Sequence, residues 1–210
     1  GFTEVALGQF TAPNGRVTSN QRLSLDFQLD RSIARRWRAV LADRLDVKWP
    51  PQYGDENRIN TLKEAYISWQ ASDEHLLDIG RVNVRNGVAM GYNPTDYFRG
   101  GAVRSVVSSD PGSLKKNRLG SVMLRGQTLW NGGSLTALVS PKMAEQASTS
   151  AFSPDYGATN NQNRWLLSVS QRLTDKITPQ WLLYGEERQP VQLGMNLTTL
   201  AGDATVLFAE

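Results

Sequence analysis

Between Arg22 and Asp30 the chain reads RLSLDFQLD, where Leu23, Leu25, Phe27 and Leu29 alternate with Ser24, Asp26, Gln28 and Asp30. A period of two places all apolar groups on one face of a strand and all polar groups on the other. The theme repeats from Trp37 to Trp49. There Trp37, Ala39, Leu41, Leu45, Val47 and Trp49 share one face, and Arg38, Arg44, Asp46 and Lys48 share the other. Asp43 falls on the apolar face, which predicts a bulge or an in-plane partner. TLKEAYISW then sets Ala65, Ile67 and Trp69 opposite Glu64, Tyr66 and Ser68. LLDIGRVNVR begins with Leu77 and Ile79 opposite Asp78, and its parity slips at Gly80 and Arg81, where an interior glycine predicts a bulge.

Further along, GSVMLRGQTLW and SLTALVS flank Asn-Gly-Gly, a hairpin signal because these residues tolerate positive φ. WLLSVSQRL, WLLYGEE, VQLGMNLTTL and ATVLFAE follow, and Gly1 to Thr11 supplies a weaker first strand. The pattern predicts about eleven strands and no helix. From Arg31 onward the connections run short, long, short, very long, short, long, then three short. All but the eighth, at Arg-Gln-Pro, fit tight turns at one rim and variable loops at the other. The two longest are 86–118, without a strand pattern, and 141–163. The second is rich in Ser, Asn, Thr and Ala and is expected to be a mobile extracellular loop.

Charge changes this picture at one place. Within 86–118, Arg99, Arg104, Lys115, Lys116 and Arg118 face only Asp96 and Asp110, leaving +3, which equals the net charge of the whole chain. The rest is balanced, so the pI of about 9.3 does not describe a phosphate-binding face, and no nucleic-acid partner is expected. Cysteine is absent and His75, in a predicted short turn, is the single histidine. No metal site, cofactor or catalytic residue is therefore expected, and the chain does not read as an enzyme. Asn-Leu-Thr at 196–198 lies inside a predicted strand and carries no glycosylation meaning. No apolar run approaches the roughly 18–20 residues of a membrane helix. A mean hydropathy of −0.41 leaves barrel strands open, since these are apolar on one face only.

The tryptophans separate a membrane barrel from a soluble sandwich with one wet face. Trp37, Trp49, Trp69, Trp130, Trp165 and Trp181 all sit at predicted strand ends, where indoles form girdles at the membrane interfaces. Twelve residue steps from Trp37 to Trp49 span roughly 40 Å, or roughly 30 Å when tilted by about 40°. The charged rows suit a wet lumen better than a packed core. The expected fold is an all-β, antiparallel up-and-down transmembrane barrel over residues 1–210.

TLKEAYISW, LLDIGRVNVRNGVAMGYNPTDYFR and SVMLRGQTLWNGGSLTALVSP resemble the N-terminal half of porin-like outer-membrane proteins of Gram-negative bacteria, including a group similar to polysaccharide-export barrels. The resemblance covers most of residues 20–140 and is most specific at GYNPTDYFR. It implies an even-stranded barrel in the bacterial outer membrane that moves solutes. An odd strand number leaves an open edge, which lipid does not tolerate. The chain is therefore expected to belong to a longer barrel, with completion by other chains as the second reading.

Two functions follow. The first is a channel for a small, anionic solute. Its expected lining is Arg38, Arg44, Asp46, Glu64, Tyr66, Asp78, Arg81 and Arg125. The 86–118 loop would fold inward, with Tyr92, Asp96, Tyr97 and Phe98 as wall and Arg99 and Arg104 as an anion filter. The second is a barrel that docks a periplasmic or surface protein, with Lys115, Lys116 and Arg118 on lipopolysaccharide phosphates or on that partner. Outer-membrane lipid is expected around either.

Overall fold

The computed structural model describes residues 1–11, 13–15, 17–50, 57–88, 92–105, 110–201 and 205–210. The expected polar loop at 51–56, the turn at 202–204 and parts of the central segment at 89–91 and 106–109 lie outside the described residues. The described residues form eleven strands: β1 (Phe2–Thr11), β2 (Val17–Ala34), β3 (Trp37–Trp49), β4 (Arg58–Gln70), β5 (His75–Val82), β6 (Ser121–Trp130), β7 (Gly133–Ser140), β8 (Arg164–Gln171), β9 (Gln180–Glu186), β10 (Gln192–Ala201) and β11 (Thr205–Ala209). They build one antiparallel sheet in sequence order. The two end strands are not paired with each other, so the sheet is open. Short connections join β2 to β3, β4 to β5, β6 to β7 and β8 to β9, and the longest connections leave the opposite rim.

The long connections contain short helical pieces that a period-two reading does not predict: a 3-10 turn at Tyr97–Arg99, α1 (Pro111–Lys116) and α2 (Tyr156–Thr159). The α1 helix has a local cause. Pro111 fits its first turn, and the Asp110 carboxylate accepts from the Ser113 amide at 2.6 Å as an N-cap.

The two faces of the sheet have opposite chemistry, and the polarity is the reverse of a water-soluble core. On β3 the enclosed positions are Val40, Ala42, Arg44, Asp46 and Lys48, while Leu41 and Trp49 of the other face are exposed. Polar enclosed positions recur on other strands, although β5–β9 also bury Val82, Met123, Leu138, Leu166, Leu182 and Tyr184. Ser24, Asp26, Thr61, Ser68, Asp78 and Asn196 are buried, whereas Leu25, Phe27, Ile67, Ile79, Leu124, Val139, Leu167 and Leu193 lie open. Water normally drives such side chains inward, each gaining about 1.5–3 kcal/mol on burial.

The strand register bears out one expectation, at Asp43, and corrects another, at Gly80. The misfit Asp43 has both expected causes at once. Ala42 pairs with Glu64 and Asp43 with Leu62, so β4 carries the extra residue Lys63, and Asn60 donates to the Asp43 carboxylate at 2.9 Å. The bulge predicted at Gly80 is absent, because β5 pairs without a register shift on both sides. Gly80 instead takes a φ of +130°, where an added Cβ would lie 2.8 Å from the Tyr66 Cα. Arg81, Val82 and Asn83 after it are all buried, and the strand ends at Val82 rather than at Arg85. At the β6–β7 turn only Gly132 has positive φ, +80°, which is the pattern of a type II turn rather than the mirror-image I′ form.

Gly80→Ala is expected to destabilise the sheet by about 1–3 kcal/mol through the left-handed backbone and the contact with β4. A lowered denaturant midpoint of the β circular-dichroism signal checks this, with an unchanged midpoint as the contrary result.

Candidate functional site

The enclosed face divides into an apolar half and an ionic half. The apolar half lies on β5–β9, where Val82, Met123, Leu138, Leu166, Leu182 and Tyr184 form a buried cluster with Phe98 from the long connection. Tyr97 stacks on Tyr184 with ring centroids 4.4 Å apart and planes 5° from parallel, and Phe98 meets the same ring edge-on at 6.0 Å. Such pairs are worth about 0.5–1.5 kcal/mol beyond the area they bury. Burial raises the Tyr97 hydroxyl above the ordinary phenol range. Room for this ring comes from Gly194 of β10, where a Cβ would stand 2.6 Å from the Tyr97 hydroxyl. The segment following Tyr92 therefore lies against the enclosed face.

Three arginines hold the connections in place. Arg118 makes a bidentate pair with Asp96, at 2.8 and 2.9 Å, and donates to Asn83 at 3.0 Å and to the Val84 carbonyl. This ties the start of the long connection to its end. Arg104 donates to the carbonyls of Asn60, Ser153 and Ser150 at 2.7, 2.9 and 2.7 Å, and lies 3.6 Å from Asp155. Arg81 donates to the carbonyls of Gly120 and Pro154 at 2.9 and 2.5 Å, beside the Tyr156 ring. Both draw in the 141–163 segment, whose Ala151, Asp155, Thr159 and Asn160 are buried. Asn160 alone donates to the carbonyls of Val122 and Pro141 and accepts from the Val122 amide. Composition predicts a mobile loop here, but these tertiary polar contacts fold the segment back onto the strands.

The ionic half lies on β1–β4. Arg44, only 2% exposed, stands within 3.1 Å of Asp46, 3.4 Å of Glu4 and 3.6 Å of Asp26. Lys63 reaches Asp26 at 2.5 Å, Arg22 pairs with Glu4, and Ser24 donates to Asp46 at 2.5 Å. Three acids thus meet three bases. A buried ion pair adds little net stability, yet removing one partner strands the other at several kcal/mol. A cavity of about 540 Å³ opens between this network and α1, lined also by Glu64, Arg85 and Lys116.

The predicted site residues therefore scatter over several roles. Arg44, Asp46 and Glu64 border or support the cavity. Asp78 and Arg125 pair at 2.7 Å, and Arg38 sits at the short-turn rim near Asp30 and the Tyr66 hydroxyl. Arg104 is not a free filter group, since its donors are committed to carbonyls. Arg118 is not available to phosphates, since it is buried on Asp96. Arg99 stacks at 4.2 Å over the exposed Tyr92 and lines a separate small pocket with Val103 and Leu114. Trp37, Trp49, Trp69, Trp130 and Trp181 are exposed on strand ends, and Trp37 stacks on Trp69 at 5.8 Å. Trp165 is half-buried. Glu4, Lys63, Arg85 and Asn160 escape the sequence reading. Lys63 was hidden by its bulge and Glu4 by the weak alternation of β1. Among the described residues no cluster of metal-ligating side chains occurs.

Comparison with known protein families and with characterised proteins finds no match to this chain.

Arg118→Met leaves the Asp96 carboxylate buried without its partner and is expected to cost about 3–5 kcal/mol. The double change with Asp96→Leu is expected to recover much of that loss in chemical unfolding. Equal destabilisation of the single and double variants would argue against the pairing.

Proposed function

We propose that this chain is part of a porin-like β-barrel of the bacterial outer membrane, and that the barrel forms a narrow polar channel for a small solute. The observation that carries this reading is the inverted sheet, with charges enclosed and a band of Leu, Ile, Val and Phe left open. Lipid is the environment that makes such a face favourable, and exposed indoles at the strand ends suit its interfaces. Further strands would be needed to close the edges at β1 and β11, since an open edge is not tolerated in hydrocarbon.

The packing of the long connection supports a channel that is narrowed from within. Tyr97 and Phe98 would fill the β5–β9 half of the lumen, leaving passage along the ionic wall of β1–β4. On this reading the constriction lies at α1 and the cavity beneath it, rather than at Arg99 and Arg104. Arg104 would instead hold the two inward-folded connections against β4. Lys115, whose ammonium donates to the Gly87 carbonyl at 3.2 Å, would lie near the rim with lipopolysaccharide phosphates in reach, while Lys116 faces the cavity.

A second reading is favoured by one observation, the apolar cluster that occupies part of the enclosed face. A barrel largely filled in this way would dock a periplasmic or surface protein instead of passing solute. Co-purification of a stoichiometric partner with a non-conducting barrel would select it.

The channel reading predicts discrete conductance steps when the full-length protein is reconstituted in planar lipid bilayers. Arg104→Ala frees the connections from three carbonyls and is expected to raise conductance and its noise. A wild-type protein that inserts but never conducts would overturn the channel.

A further inference from the structure

Most of the charges on the enclosed face neutralise one another, and the few that do not are informative. Around the 540 Å³ cavity, Glu4 is held by Arg22 and Arg44, Asp26 by Lys63 and Arg44, and Asp110 caps α1. Three charged lining side chains form no ion pair and no hydrogen bond among the described residues: Glu64, Arg85 and Lys116. They stand on different walls. Glu64 projects from the sheet wall, opposite the β3 residue Ala42 in the register. Arg85 and Lys116 belong to the long connection, one just after β5 and one at the end of α1.

We infer that the cavity is a transit site for small zwitterions carrying a carboxylate and an ammonium group, such as a free amino acid. The inference rests on the channel reading. The carboxylate sits toward Arg85 and Lys116, and the ammonium toward Glu64. A purely anionic solute meets Glu64 as a repulsive group, and a purely cationic one meets the two bases. A zwitterion satisfies both walls, and its dipole aligns with the field that opposed charges set across a water-filled passage. The volume is adequate, since a water occupies about 30 Å³ and the cavity holds an amino acid together with part of its hydration. The neighbouring ionic network keeps the wall polar without competing, because its charges are already neutralised at close range.

Swelling of proteoliposomes containing the full-length protein tests this, with serine, glycerate and erythritol as zwitterionic, anionic and neutral probes of similar size. Serine is expected to enter about two- to fivefold faster than the other two, the factor that a solvated ion-pair contact supplies. Glu64→Gln is expected to abolish the serine advantage, accelerate glycerate, and shift the reversal potential in a potassium chloride gradient toward chloride. The double variant Arg85→Gln/Lys116→Gln is expected to slow glycerate and shift the potential toward potassium. Equal rates for all three probes, or glycerate fastest with no response to Glu64→Gln, would overturn the zwitterion assignment while leaving a channel. Failure of every probe to enter would overturn the channel reading and this assignment together.

Discussion

The guanidinium of Arg118, gripped by both oxygens of Asp96 and by Asn83, is the contact on which the enclosed half of the molecule depends. It joins the two ends of the long connection, so the residues between them are delivered as a closed unit against the sheet. From that base Tyr97 and Phe98 reach Tyr184 and the apolar side chains of β5–β9. Arg104 and Arg81 then extend the same principle to the second connection through backbone carbonyls. A buried guanidinium needs several acceptors, and irregular backbone has carbonyls without ladder partners, so each satisfies the other.

Charge pairing on the ionic half obeys the same constraint in a different form. Glu4, Arg22, Asp26, Arg44, Asp46 and Lys63 come from four neighbouring strands, so the network spans them like a seam. Its members, the half-exposed Glu4 apart, are too enclosed to remain single and too numerous to be a packed core. Of the predicted lining charges Arg44 and Asp46 are neutralised within this network, and Asp78 and Arg125 neutralise each other on neighbouring strands. Under the proposed channel function, selectivity would fall to the few groups that the network leaves unpaired.

Much of the sheet was legible because strand alternation is a local property. The face assignments of β2 and β3, the tryptophans at strand ends and the alternation of short and long connections all follow from residues a few positions apart. What sequence could not reveal were positions set by a distant partner. Lys63 enters the interior only because β4 gains a residue against β3, and Arg81 only because Gly80 adopts a backbone that other residues avoid. Arg104 and Arg118 read as free cations in an irregular segment, but Arg104 finds its acceptors outside it, on Asn60, Ser150 and Ser153, and Arg118 finds Asp96 at the segment's other end.

The sequence by itself determined the one-sided strands, their number and order, and the basic excess of the central connection, since each depends on local period or simple composition. Only the tertiary structure decided where that connection goes and which charges it leaves free. The physical reason is that folding back of irregular backbone is driven by acceptors and aromatic surfaces contributed by residues distant in the chain. The basic excess is thereby divided into buried clasps, Arg104 and Arg118, and exposed groups, Arg99 and Lys116, a division that no local pattern encodes.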